Sequence, residues 1–167
     1  MRNCDVCGSA LASRRTTRED PYPYRIGGLP RVGLVGIDVY RCAPCDVDAP
    51  VIPKPGELHR VLARLFLLKS APLAGDELRF LRKHAGLSAQ VFAKHLAIDP
   101  SHLSRVENGK TESLGGTSDR LARAIVSAAT DSKLFKEVLE RMSQAGTPLR
   151  RPLVKIKNNR WSEERAS

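Results

Sequence analysis

The apolar positions of the chain change period near residue 56. Before that point, Val32 to Tyr40 (VGLVGIDVY) alternates apolar and polar side chains and predicts a strand, with Tyr22 to Ile26 as its hairpin partner and Gly27, Gly28 and Pro30 in the connection. After it, Leu58, Val61, Leu62, Leu65 and Phe66 recur at helical spacing, and Pro53 and Pro55 mark the boundary. From Asp76 the pattern predicts consecutive short helices over 76–85, 88–96, 100–108, 117–130 and 133–144. Each break has a local cause. Gly86 suits a left-handed position after the first helix, Ser88 an N-cap of the second, and Asp99-Pro100 an N-cap followed by the first helical position of the third, which Asn108-Gly109 then stops. Residues 147–167 show little periodicity and predict a mobile basic tail. No internal repeat of solenoid length is present.

These elements predict a mainly α chain with a small β module. The expected order is a β-hairpin module over 1–56, a connecting helix over 57–69, a five-helix domain over 70–146, and the tail over 147–167. Charge sharpens the picture, because 28 Lys and Arg against 18 Asp and Glu give a formal net charge of +10, which favours a polyanionic partner. The tail is the most basic segment per residue. No apolar run approaches the roughly 18 residues of a membrane span, and the first residues lack the apolar stretch of a signal peptide, so a soluble cytoplasmic protein is expected. In that reducing compartment, cysteines hold metals more often than they form disulfides.

Cys4-Asp5-Val6-Cys7 and Cys42-Ala43-Pro44-Cys45 are two C-x2-C knuckles. Each can offer two thiolates from one tight turn, and Gly8 suits the first turn. Cys4, Cys7, Cys42 and Cys45 are therefore the expected ligands of a tetrahedral ion, by default one Zn²⁺ per chain. The alternatives are a thioredoxin-like redox pair, for which the βαβ context is missing, an iron–thiolate electron carrier, and four unliganded core cysteines. Four protein ligands leave no coordination position open, so the expected metal is structural. His59, His84, His95 and His102 show no ligand spacing with the cysteines.

Leu87 to Lys110 (LSAQVFAKHLAIDPSHLSRVENGK) reads as helix, short turn at 97–99, and second helix. Ala93 is small where two helices must cross, and Phe92, Leu96, Ile98, Leu103 and Val106 supply apolar contacts. The outer face of the second helix then carries Ser101, His102, Ser104 and Arg105 as candidate base-reading residues, with Arg105 able to bind guanine O6 and N7 bidentately. Arg79, Arg82, Lys83, Ser88, Gln90, Lys94 and Lys110 are candidate phosphate contacts, each with ordinary surface polarity as the alternative.

Taken together, Cys4-x2-Cys7-Gly8, the stretch from Gly28-Leu29-Pro30 to Val39-Tyr40-Arg41-Cys42-x2-Cys45, Ile52-Pro53, Leu78 to Lys83 (LRFLRK) and Leu103 to Gly109 (LSRVENG) resemble the zinc-finger plus XRE-type helix-turn-helix antitoxins of the MqsA kind. The resemblance covers about residues 4–130. It implies metal ligands at Cys4, Cys7, Cys42 and Cys45, base reading at Ser101 and Arg105, a homodimer held by the C-terminal domain, a zinc domain that contacts a co-encoded toxin, and repression of the protein's own operon. Ala97 departs from it, standing at a turn position where this class commonly has Gly; a left-handed Ala there costs about 1 kcal/mol. Ser101 replaces an amide side chain that some relatives use for reading bases. The segment after residue 146 matches no part of the family.

The functional expectation is a repressor that binds double-stranded operator DNA and neutralises a co-encoded toxin. The alternative is a stand-alone zinc-containing regulator of the same class. No nucleophile–base pair, phosphate loop or paired carboxylates stand at diagnostic spacing, so no enzymatic activity is expected.

Overall fold

The computed structural model describes residues 2–142 and 152–164. The chain divides into two compact units, one of Met1–Arg25, Pro30–Leu58 and Arg151–Ser167, the other of Ile26–Leu29 and His59–Arg150. Among the described residues there are seven strands and six helices. The mainly α expectation therefore describes the second unit alone.

In the first unit, β1 (Ala12–Arg15), β4 (Asp38–Cys42) and β5 (Val47–Val51) form an antiparallel sheet in the order β1-β4-β5. Ala12 pairs with Arg41 and Arg15 with Asp38, while Cys42 pairs with Val47 across the β4–β5 hairpin. This sheet has little core of its own. All four residues of β1 are exposed, and β5 alternates between exposed and half-buried positions.

The second sheet orders β2 (Tyr22–Tyr24), β3 (Leu29–Val35), β6 (Leu153–Lys157) and β7 (Arg160–Glu163). The adjacency of β2 and β3 meets the hairpin expectation. The continuous strand expected over 32–40 does not form, because the chain breaks at Gly36 and sends β3 and β4 into different sheets. Gly36 has φ +79°, and a Cβ there would lie 2.8 Å from the Ile156 carbonyl oxygen, so only glycine fits the break. Thr16 closes it from the other side: its N–H and hydroxyl donate to Ile37 O, its Oγ1 accepts the Ile37 N–H, and its carbonyl accepts the Gly36 N–H.

The expected mobile tail is corrected over residues 152–164. They form the β6–β7 hairpin, with β6 parallel to β3 in the register Gly33 to Leu153 through Val35 to Lys155. The cause is burial. Val154 and Trp161 are 0% and 3% exposed, and Trp161 Nε1 donates to Pro53 O at 2.7 Å. Asn158 and Asn159 make the two-residue connection at φ +50° and +57°, the left-handed pair that a tight hairpin requires. The remainder of the expected tail, 147–151 and 165–167, lies outside the described residues.

The second unit is built by α1 (Pro55–Leu68), which the division enters after Leu58, and by α2 (Gly75–His84), α3 (Ala89–His95), α4 (Pro100–Glu107), α5 (Gly116–Thr130) and α6 (Ser132–Met142). The five expected helices of this domain are α2 to α6, each within two residues of its expected limits. Leu62, Phe66, Leu78, Leu81, Phe92, Leu103, Val106, Val126 and Val138 are almost fully buried and form the core. Arg123 ties α5 to the C-terminal end of α1. Its guanidinium pairs with Asp119 at 2.7 Å and donates to the carbonyls of Phe66, Leu67, Lys69 and Ala71, groups that a helix end leaves without partners. Asp119 in turn accepts the Leu73 N–H at 2.7 Å. No helix among the described residues is long and apolar enough to cross a membrane.

Candidate nucleic-acid interface and metal centre

The local signals that separate α2, α3 and α4 act as their chemistry dictates. Ser88 caps α3 by accepting the Val91 N–H at 3.2 Å, and Asp99 caps α4 by accepting the Ser101 N–H at 2.7 Å, with Pro100 at the first helical position. Gly86 and Gly109, both at φ +70°, end α2 and α4. Between α3 and α4, Ala97 stands at φ +52°. The turn keeps the left-handed geometry that glycine would adopt at no steric cost, and the chain holds an alanine in it.

The face of α4 that points away from the core presents Ser101, Ser104 and Arg105 as exposed residues and His102 as half-buried, while Leu103 and Val106 are sealed below it. Four of the five expected packing residues are buried with Ala93, and Ile98 is partly exposed. Lys83, Ser88, Gln90, Lys94 and Lys110 lie on the surface of α2 to α4 and the loop after it. Arg82 does not, and is withdrawn as a phosphate contact. Its guanidinium meets both oxygens of Glu107 at 2.7 and 2.9 Å and donates to Leu87 O at 2.9 Å, leaving the side chain 10% exposed. Arg79 is half-buried and turned toward the end of α4, where it donates to Glu107 O and to Asn108 Oδ1. Both arginines brace the second helix; Arg82 is closed off from a ligand, whereas the Arg79 side chain stays 37% exposed.

Two further residues outside the expected site shape this face: Gly75, which the sequence does not single out, and Asn108, expected only to stop the helix. Gly75 begins α2 against the end of α4, where a Cβ would lie 2.0 Å from the Val106 carbonyl oxygen, so only glycine lets the two helices approach so closely. Asn108 directs its amide nitrogen to Ser104 O at 2.8 Å and Ser104 Oγ at 3.2 Å. Asp99, meanwhile, also accepts from the Ser101 hydroxyl, and this bond, with the Ser101 N–H, holds its carboxyl below the usual range.

The four cysteines converge in the first unit because of the β1–β4 register. Residues 3–10 form a small loop closed by the Asn3–Ala10 bridge, and this loop reaches the β4–β5 connection that carries Cys42 and Cys45. The two knuckles are built alike, for the residue after each second cysteine is left-handed: Gly8 at φ +74° and Asp46 at φ +53°. Cys7 and Cys42 sulfurs are 3.4 Å apart, Cys4 and Cys45 sulfurs 3.9 Å, and all four lie within 4.8 Å of one another. A disulfide would bring two sulfurs to about 2.05 Å, so these are free thiols. A tetrahedron of Zn–S bonds of about 2.3 Å has S···S edges of about 3.8 Å, which these distances match. The residues therefore fit a tetrahedral metal ion such as zinc. Ser9, through its hydroxyl and N–H, brings the Cys7 thiol down to about 6, while hydrogen bonds with the Cys7 and Cys42 sulfurs push Cys45 up to about 12. A divalent cation bound here would displace thiol protons.

Comparison with known proteins finds no curated protein and no solved structure that matches the chain. Comparison with family models matches residues 73–129, the span from just before α2 to the last turn of α5, to a helix-turn-helix domain. The second unit of this protein therefore carries a helix-turn-helix domain.

Proposed function

We propose that this protein is a sequence-specific transcriptional repressor that binds double-stranded operator DNA as a homodimer, with one structural Zn²⁺ per chain. The observation that carries this reading is the outer face of α4, where Ser101, His102, Ser104 and Arg105 stand on a helix braced from behind by the Arg82–Glu107 pair. A helix of this width enters the major groove, and an arginine there reads guanine. The net charge of +10 supplies the attraction to phosphate. Arg105→Ala should lower affinity for the operator by the roughly 1–3 kcal/mol of a bidentate base contact, with the unfolding curve unchanged. Wild-type binding should also fall steeply with added salt. Unchanged operator affinity in the variant would refute the assignment.

We further infer that the repressor is the antitoxin of a type II toxin–antitoxin pair, acting in the cytoplasm without enzymatic activity of its own. Support comes from the resemblance over residues 4–130 and from the closely grouped free thiols, a form of cysteine suited to a reducing compartment. Co-expression with each adjacent reading frame tests this. A stable complex with a small toxic neighbour supports it, and recovery of the zinc-bound protein alone favours a stand-alone regulator.

A further inference from the structure

A serine hydroxyl is ordinarily a poor reader of sequence, because it donates as readily as it accepts. On α4 a neighbouring side chain removes that freedom at one of the two exposed serines. The Ser101 hydroxyl donates to Asp99 Oδ1, an acceptor that also takes the Ser101 N–H at 2.7 Å. The single hydroxyl hydrogen is thus turned back to the cap, and lone pairs face outward.

Ser104 is not fixed in this way. The Arg79 guanidinium, which can only donate, reaches Asn108 Oδ1 at 2.5 Å. The Asn108 amide must then turn its NH2 toward α4, where it meets Ser104 O and Ser104 Oγ. That bond fills one of the two lone pairs of Ser104 Oγ and leaves the hydroxyl its hydrogen and a second lone pair. The two serines are three residues apart, on the same face of the helix.

We propose that Ser101 is solely an acceptor on the DNA-reading face, with Asp99 as the positioning residue that sets this polarity. The proposal rests on the DNA-binding reading above and specifies which bases that face takes. In the major groove only adenine N6 and cytosine N4 donate, whereas guanine O6, thymine O4 and the purine N7 atoms accept. Ser101 therefore selects A or C and rejects G or T on the strand that it touches. Ser104, with a hydrogen and a lone pair both free, excludes no base at its own position.

The test is selection of duplexes from a randomised library by the full-length zinc-loaded protein, repeated with Ser101→Ala and Ser104→Ala to locate the position that each serine reads. The expected Ser101 position is A or C, and relaxes in Ser101→Ala. Where it is adenine, replacing it by purine, which lacks the N6 amino group, should weaken the wild type about five- to tenfold and leave Ser101→Ala unaffected. Asp99→Ala should admit G or T at that position, whereas Asn108→Ala should leave the base preference at the Ser104 position unchanged. The base-analogue measurement on the wild type stands even if a cap variant fails to fold. G or T at the Ser101 position, an equal loss in both proteins on removing the amino group, or a Ser101→Ala that relaxes no position overturns the polarity and leaves DNA binding intact. Failure of the wild type to enrich any sequence overturns the DNA-binding reading, and this assignment with it.

Discussion

Arg82 of α2 and Glu107 at the end of α4 form a two-pronged ion pair, with N···O distances of 2.7 and 2.9 Å and side chains only 10% and 7% exposed. Removing Glu107 would leave the Arg82 charge buried and uncompensated, and removing Arg82 would leave Glu107 with only Arg79, at 3.7 Å. Arg82→Ala and Glu107→Ala should each cost about 3–5 kcal/mol in urea unfolding, whereas Arg82→Met with Glu107→Leu should cost far less than either. Equal losses in the double and single variants would mean that packing, not charge, dominates here.

Ala97 holds a left-handed conformation without the freedom of glycine. Ala97→Gly should raise stability by a few tenths of a kcal/mol, up to roughly 0.5, because relief of the steric cost exceeds the gain in unfolded-chain entropy. A shift of the urea midpoint to higher concentration checks this; a lower midpoint would contradict it.

Trp161 is 3% exposed and anchors β7 by donating to Pro53 O at 2.7 Å. Trp161→Ala should destabilise the first unit by about 3–5 kcal/mol. Trp161→Phe, which keeps an aromatic ring and loses the hydrogen bond, should cost about 1 kcal/mol, since the part-buried Pro53 carbonyl loses this partner. Amide exchange in β3 and β6 should accelerate in the first variant while α2 to α5 keep their protection.

The sheet β1-β4-β5 has an exposed strand at one edge and a half-exposed one at the other, so the thiolate cluster must supply much of its stability. Purified protein should be colourless with one zinc per chain; visible thiolate-to-metal absorption would indicate iron instead. Cys42→Ser, at the most buried of the four ligands, should abolish stoichiometric zinc and expose β1, β4 and β5 to exchange, with helical circular dichroism retained. Metal affinity measured by chelator competition should fall as pH falls, because protons compete with the metal for thiolates.

The helices α2 to α6 were legible because their ends are local events. Ser88, Asp99-Pro100, Gly86 and Asn108-Gly109 each act on a backbone group within four residues, and the sequence displays both partners. The cysteine cluster was legible for the same reason within each knuckle, and because four thiols with two short spacings have few uses. The β6–β7 hairpin carried a readable signal that went unread: V-K-I-K alternates, and Asn158-Asn159 suits a tight turn.

By itself the sequence determined the caps, the turns, the helical periodicity, the paired thiols and the exposed serines and arginine of α4. Only the tertiary structure decided that Arg82 is an internal brace and not a surface cation, since its partner Glu107 lies 25 positions away. It alone showed that Gly75 is a contact point against Val106, and that the C-terminal strands complete a sheet with β3, with Trp161 reaching a carbonyl 108 positions earlier. The physical reason is common to all three. A charge, a missing Cβ or an alternating strand takes its role from what burial places beside it, and that neighbour is distant in the chain.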